Sequence, residues 1–567
     1  MKSRWMNKFA STNNLSRNNI RFIQSEFFVN LKLLSQLILI NASLFLTSCG
    51  GGSGGASSSS STPTVPSPEA RWTLGVYEDE SLFKDSCAIP RSGVSSITGE
   101  AFIDAAGDAL DEKLWLRSWT NNTYLWYDEV DDNNPADFST SKYFEQLKTD
   151  FRTDSGTFKD NFHFSQSTDE YLSRTQRGLS FGYGISWEFV QASAPRRIIV
   201  RYIQPGSPAE NAGIERGDEL ITIDTIDFIN TENHDDVDAI NEALFPSSTG
   251  QVFQFTLQKK SGEQRTYSLT PSNVELSPVR NPAVLSTEIG SVGYVQFDSH
   301  IQSAQGPLIS AFNLFSQNNV QALILDMRYN GGGLLSMASQ LAFMVTGQQQ
   351  TDGLTFDELK FNDKHPTFDP VTGRRLQPTP FYNREIDYER NVFTSNALPS
   401  LGLNTLYILT SGATCSASEA VINGLRGIDV EVVIIGDTTC GKPYGFYPTD
   451  NCGTTYFTIQ FQGSNQKGFG EYSNGFIPTP NPIFEADVQG CLVEDDFSHA
   501  LGTTEEGMLN AAVNHLQSGE CPVQAKAKIP VAQRSVSQGP SIQTSASILD
   551  AIILENAINQ VISEPTH

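Results

Sequence analysis

The sequence predicts a multidomain chain. An α/β core follows an inserted β-rich domain, and both follow an N-terminal helical region. Three observations predict this. At 567 residues the chain exceeds one ordinary domain. Across residues 276–523 apolar strands alternate with helical stripes, as crossover connections require. Across residues 178–275 the pattern changes to short strands and turns around one helix.

The elements follow in chain order. Residues 1–48 read as a processing signal. Lys2, Arg4, Lys8, Arg17, Arg21 and Lys32 precede an apolar stretch from Leu33 to Leu46, which Ser35, Gln36 and Asn41 interrupt. That stretch is too short and too polar for a membrane span. It ends in Leu46-Thr-Ser-Cys49, which resembles the bacterial lipobox. The resemblance implies cleavage before Cys49 and a lipid on its sulfur. Gly50 after Cys49 resembles outer-membrane sorting, so the expected location is the cell envelope, facing the periplasm. Residues 49–70, rich in Gly and Ser, read as a flexible tether.

Residues 71–177 carry apolar and aromatic anchors, Leu110, Leu114, Trp119 and Tyr124 among them, which read as core packing. In residues 178–275, Phe181-Gly-Tyr-Gly-Ile185 is a glycine-rich loop leading into a strand. Ile198 to Ile203 is a second strand, Arg216-Gly-Asp-Glu-Leu a turn into a third, and Val237, Ile240 and Leu244 share one helix face. In residues 276–523, Ser291–Phe297, Ala322–Leu325, Leu406–Leu409 and Val432–Ile435 read as strands. Leu308–Phe315, Leu334–Val345 and Ala417–Arg426 read as helices. Thr351 to Ala397 is polar and Pro-containing, so the expectation there is a long lid or insertion. Residues 524–567 form a polar tail, with a short amphipathic helix expected over Ile548–Ile562.

Charge and cysteines narrow the function. A formal net charge of −26 excludes the basic footprint that nucleic acid demands. Seven cysteines less Cys49 leave an even six, which suits disulfides in an exported protein. Cys440–Cys452 and Cys491–Cys521 are the local pairings expected. No CxxC or Cys/His spacing is present, so neither metal nor other cofactor is expected.

The chemistry concentrates in two places. Asp326-Met-Arg-Tyr-Asn-Gly-Gly-Gly333 follows a buried strand and opens a helix. Glycines there let backbone N–H groups face a ligand. No Lys-Ser/Thr pair follows, so the loop reads as an oxyanion donor rather than a phosphate cradle. Ser411-Gly-Ala-Thr-Cys-Ser-Ala-Ser-Glu419 sets hydroxyls at a helix start, where free N–H groups favour developing negative charge. Lys442 follows Ser416 after 26 residues. Serine, oxyanion-friendly helix start and lysine are the parts of a Ser–Lys hydrolase. These patterns do not choose between Ser416 and Ser418.

Taken in order, these motifs resemble the carboxyl-terminal processing (tail-specific) serine proteases of peptidase family S41, from roughly Trp115 to Cys521. The resemblance implies a crotonase/ClpP-like core with an inserted PDZ domain. It places the nucleophile on Ser416, the base on Lys442, and the oxyanion donors on the N–H of Ala417 and of Gly332 or Gly333. It places a substrate's C-terminal carboxylate at Phe181, Gly182, Tyr183, Gly184 and Ile185, with the peptide added as a strand. A neutral lysine is needed as base. Moving its pKa from about 10.4 to about 7.5 corresponds to about 4 kcal/mol, which apolar burial can supply. Val432–Ile435, Tyr444 and Phe446 are candidates for that pocket.

The chain departs from the family in places. Phe446 stands where the family often has a glutamine that orients the lysine; Gln460 or Gln462 is the candidate substitute. Cys415 offers a thiol alternative and His300 a histidine base. Three functions follow: a peptidase acting on proteins or peptides with free C-termini, a PDZ adaptor with an inactive core, and an esterase.

Overall fold

The computed structural model describes residues 71–153 and 156–522. The signal, Cys49, the tether, the tail and the helix expected over Ile548–Ile562 lie outside the described residues. Among the described residues no helix is long and apolar enough to cross a membrane.

The N-terminal part holds helices α1 (Ala109–Thr123) and α2 (Thr140–Gln146), strand β1 (Phe164–Ser167) and helix α3 (Thr168–Arg177). Asp108 caps α1 by accepting from the Leu110 and Asp111 N–H groups, and Asp111 accepts from the Asp108 N–H in return. Trp115 and Trp119, one turn apart on α1, stack with centroids 5.1 Å apart. Both also meet Tyr456.

Next come β2 (Leu179–Gly182), β3 (Ile185–Gln191), β4 (Arg197–Ile203), β5 (Glu219–Ile223), helix α4 (His234–Leu244), β6 (Phe253–Gln258), β7 (Gln264–Leu269) and β8 (Ser272–Glu275). One antiparallel sheet has the order β7-β6-β5-β4-β3, so β3 is an edge strand. Phe253, Phe255 and Leu257 alternate inward on β6, against Ile240 and Leu244 of α4. β2 pairs instead with β8.

The core contains β9 (Val279–Thr287), β10 (Gly290–Phe297), α5 (Gln305–Gln317), β11 (Ala322–Asp326), α6 (Leu335–Thr346), β12 (Thr355–Phe361), β13 (Arg384–Asp387), β14 (Val392–Ala397) and β15 (Thr405–Thr410). It continues with α7 (Ala417–Gly427), β16 (Glu431–Gly436), β17 (Tyr444–Gly445), β18 (Thr449–Asn451), β19 (Thr454–Phe457), β20 (Phe461–Ser464), β21 (Ile477–Thr479), β22 (Asp487–Leu492) and α8 (Gly507–Ser518). The main sheet runs β9-β10-β11-β15-β16-β22-β21, parallel except for β9. Residues alternate between its faces. Leu323, Leu325, Leu406, Ile408, Val432 and Ile434 pack with residues of α5, α6 and α7. Ile324, Tyr407, Leu409, Val433 and Ile435 pack with residues of α8. Strands covered on both faces explain their unbroken apolar runs.

Two expectations are corrected here. Thr351–Ala397 is not irregular throughout: it contains β12, β13 and β14, and β12 pairs with β20. Its polarity reflects alternating exposed positions on β12, such as Glu358. Cys440 does not pair with Cys452. The disulfides are Cys87–Cys452, Cys415–Cys440 and Cys491–Cys521. Nearness in sequence misled for Cys452, because β18 pairs with β19 and β19 with β1, which carries Cys452 to the N-terminal part.

Candidate active site

Three loops leave the C-terminal ends of β11, β15 and β16, which are neighbours in the sheet. In parallel α/β sheets this edge is where ligands are met. The first loop carries the glycines, the second Ser416 and the third Lys442.

Ser416 precedes α7 with φ 56° and ψ −114°, a sparsely populated conformation for a residue with a side chain. Such strain costs about 1–3 kcal/mol and persists only where surroundings enforce it. Here the glycine loop presses against it. A Cβ on Gly332 would lie 2.9 Å from Ser416 Cβ and 3.0 Å from the Ala417 nitrogen. Gly332 and Gly333 have φ 108° and 133°, open only to glycine in practice. The Gly332 N–H donates to Asn330 Oδ1 at 3.0 Å. Gly333 bridges to His300, whose N–H donates to Gly332 O and whose carbonyl accepts from Leu334 N–H, leaving the Gly333 N–H outside these bonds. Ala417 is the first residue of α7, so its N–H has no acceptor within the helix.

Ser418 is set apart from Ser416 by its partner. Its buried hydroxyl donates to Asn330 O at 3.0 Å. Ser416 instead lines a pocket together with Lys442, Leu335, Ala420, Phe461 and Tyr472.

Lys442 is 1% exposed. Its Nζ lies 4.0 Å from the centroid of Phe446 and 5.0 Å from that of Phe162. Phe162 belongs to the N-terminal part, a contribution no core motif signals. It is fixed by Asp160, which accepts from the Phe162 N–H and from the Tyr124 hydroxyl. Gln460 and Gln462 turn to other partners. Gln460 accepts from the Tyr447 N–H and donates to Thr123, and Gln462 donates to Gly470 O and Glu471.

Glu419 does more than open a helix. It is wholly buried, and it joins the two loops. Oε2 accepts from the Ser416 N–H at 2.9 Å and the Lys442 N–H at 2.8 Å. Oε1 accepts from Thr439 Oγ1 at 2.6 Å and the Gly441 N–H at 2.9 Å. Burial raises its carboxyl above the ordinary range, and these donors offset only part of that rise. The spacing Ser-x-x-Glu was the available signal. The Cys415–Cys440 disulfide joins the same loops and removes a free thiol at Cys415. His300 is buried behind the glycine loop, and burial lowers its pKa to about 4. Asn330 Nδ2 donates to Phe297 O, so its Oδ1 accepts and His300 Nδ1 carries the proton.

Below the glycine loop, Arg328 pairs with Asp326, Asp495 and Glu506. Arg216, from the turn before β5, reaches the same group, at 2.6 Å from Asp495 and 2.7 Å from the Tyr329 hydroxyl.

Residues 291–447 match peptidase family S41, and residues 199–244 match the PDZ domain. The chain carries a peptidase S41 domain and a PDZ domain. A carboxyl-terminal-processing protease of a Picosynechococcus species is 27% identical over 242 residues, 42% of this chain and 49% of that protein. Carboxyl-terminal-processing peptidase 3, chloroplastic, of Arabidopsis thaliana is 30% identical over 264 residues, 44% of each chain. The chain thus spans less than half the length of these relatives. A crystal structure described as an S41 protease from Bacteroides fragilis has a TM-score of 0.51 and 22% identity, covering 71% of this chain and 97% of that one. That likeness is one of fold.

The glycine loop and the serine and lysine loops all fall within the S41 match. The Phe181–Ile185 segment precedes the PDZ match. Phe181 and Gly182 end β2, Tyr183 and Gly184 form the turn, and Ile185 begins β3. Tyr183 packs edge-on against Phe255, inside the PDZ core.

Proposed function

We propose that this protein is a serine endopeptidase of the C-terminal processing type, cleaving exported proteins or peptides through Ser416 and Lys442. The observation that carries this reading is the strained Ser416 at a helix N-terminus, lining the same pocket as a buried lysine. In the proposed reaction the Lys442 amine takes the Ser416 proton and Oγ attacks a peptide carbonyl. The Ala417 and Gly333 N–H groups receive the oxyanion; Gly332 is the poorer donor because Asn330 holds its N–H. The amine then returns the proton to the leaving nitrogen, and water releases the acyl group.

The PDZ domain would hold the substrate's C-terminus. Among the described residues β3 pairs on one side, with β4, and its other edge is open to an added strand, with the Phe181–Ile185 segment at its start. The proposed domains are 71–177, 178–275 and 276–523, the last with a crotonase/ClpP-like core. A lipid on Cys49 would tether them, by residues 49–70, to the outer membrane facing the periplasm.

A fluorophosphonate probe and a peptide with a free C-terminus test this together. Labelling at Ser416 and cleavage, both lost in Ser416→Ala, and cleavage lost in Lys442→Ala, are expected. Peptide binding with neither labelling nor turnover would instead make the protein a PDZ adaptor, the reading that Phe446 at the orienting position favours.

A further inference from the structure

The pocket beside Ser416 has apolar walls from Leu335, Ala420, Phe461 and Tyr472, and one carboxylate, Asp357. Asp357 is 6% exposed. It accepts from the backbone N–H groups of Glu358 and Ser464, and among the described residues no cation pairs with it. A buried carboxylate without a counter-charge is costly. Burial accordingly raises its pKa to about 7.

The fold holds this carboxylate in place. Its neighbour Phe356 fills the space above Gly424 of α7, where a Cβ would lie 2.6 Å from the ring. β12 therefore rests on the helix that begins after Ser416. On the other side β12 pairs with β20, and β20 pairs with β17, two residues beyond Lys442. Gly463 of β20 leaves room for the carboxylate, since a Cβ there would lie 2.7 Å from Asp357 Oδ1. The acid is thus held on a strand that rests on α7 and pairs with β20.

We propose that Asp357 is a specificity determinant selecting a lysine or arginine side chain on the substrate residue whose carbonyl Ser416 attacks. The proposal rests on the peptidase reading above. Long basic side chains match the two chemistries of the lining, and the cavity, about 20 Å³ in this conformation, must widen to admit one. Their methylene stems suit the apolar walls, and their charged heads supply the cation that Asp357 lacks. An acidic residue at that position would be repelled.

The test uses the purified full chain and free-acid peptides identical except for Lys, Arg, Leu, Ala or Glu before the scissile bond. The expected result is a kcat/KM for Lys and Arg at least about tenfold above that for Leu, with Glu slowest. Asp357→Asn, which keeps shape and removes charge, should erase most of that ratio, and Asp357→Glu should retain part of it. Thermal melting of each variant separates misfolding from lost selectivity. A wild-type preference for Leu or Ala overturns the proposal and leaves the peptidase reading standing. A uniform change across all peptides in Asp357→Asn also overturns it, and makes Asp357 a partner of Lys442. Failure of the wild type to cleave any peptide overturns both.

Discussion

Cys415 and Cys440 are bonded to each other, one residue before Ser416 and two before Lys442. A single covalent link thus fixes the spacing of two loops that leave different strands. Glu419 fixes the same spacing through hydrogen bonds.

Replacing both Cys415 and Cys440 by alanine should loosen this spacing. Closing a loop of 25 residues contributes about 3 kcal/mol in the chain-entropy view. The expected outcome is a lower melting temperature and a fall in kcat larger than the rise in KM. An unchanged kcat would show that Glu419 alone sets the geometry.

Glu419→Gln keeps the volume but turns one acceptor oxygen into a donor facing donors. We expect a loss of about 2–4 kcal/mol in stability, from buried groups left unpaired, measured by denaturant unfolding. Activity should fall with it, because the Ser416 and Lys442 N–H groups share Oε2.

Gly332→Ala should abolish turnover with little global unfolding. The new methyl would meet Ser416 Cβ at 2.9 Å, on a backbone with φ 108°. A fall in kcat of about a hundredfold or more is expected, the scale of losing an oxyanion donor. Normal turnover in this variant would mean the glycine loop can yield.

Asp357 predicts a pH dependence. Its pKa is about 7 folded and about 3.9 unfolded. The folded chain therefore holds the extra proton between these values, and stability falls as pH rises from about 4 to about 7. Denaturation midpoints of the wild type should show this slope, and Asp357→Asn should lack it. Glu358 beside it and Lys442 across the pocket share this environment. Selectivity for basic substrates should move oppositely, growing with pH as the carboxylate loses its proton. A flat ratio of Lys to Leu cleavage from pH 6 to 8 would contradict it.

Much of the sheet was legible because its strands are covered on both faces. Ala322–Leu325 and Val432–Ile435 have no polar side to obscure them. Ser416 and Lys442 stood out through their spacing, yet Ser416 and Ser418 differ only in where the backbone turns. Resolving them needed Asn330 O, which sits on another loop. Phe162 was hidden for a related reason. It reaches Lys442 across 280 residues, and nothing local marks an aromatic that guards a distant amine. Asp357 was obscured because its strand is partly polar and, among the described residues, lies outside the main sheet, paired with β20 and Thr379–Pro380.

The pairing of β1 with β19 brings together Phe164 and Phe457, residues synthesised nearly three hundred positions apart. The piece upstream of the PDZ domain must therefore wait on the ribosome's output until its partner strand emerges. A truncation that starts at the S41 match would lack both that strand's neighbour and the ring beside Lys442. Recombinant production of a minimal catalytic fragment should accordingly begin at or before Arg71, and it should keep the PDZ domain, whose Arg216 is bound to Asp495 and Tyr329 beneath the glycine loop.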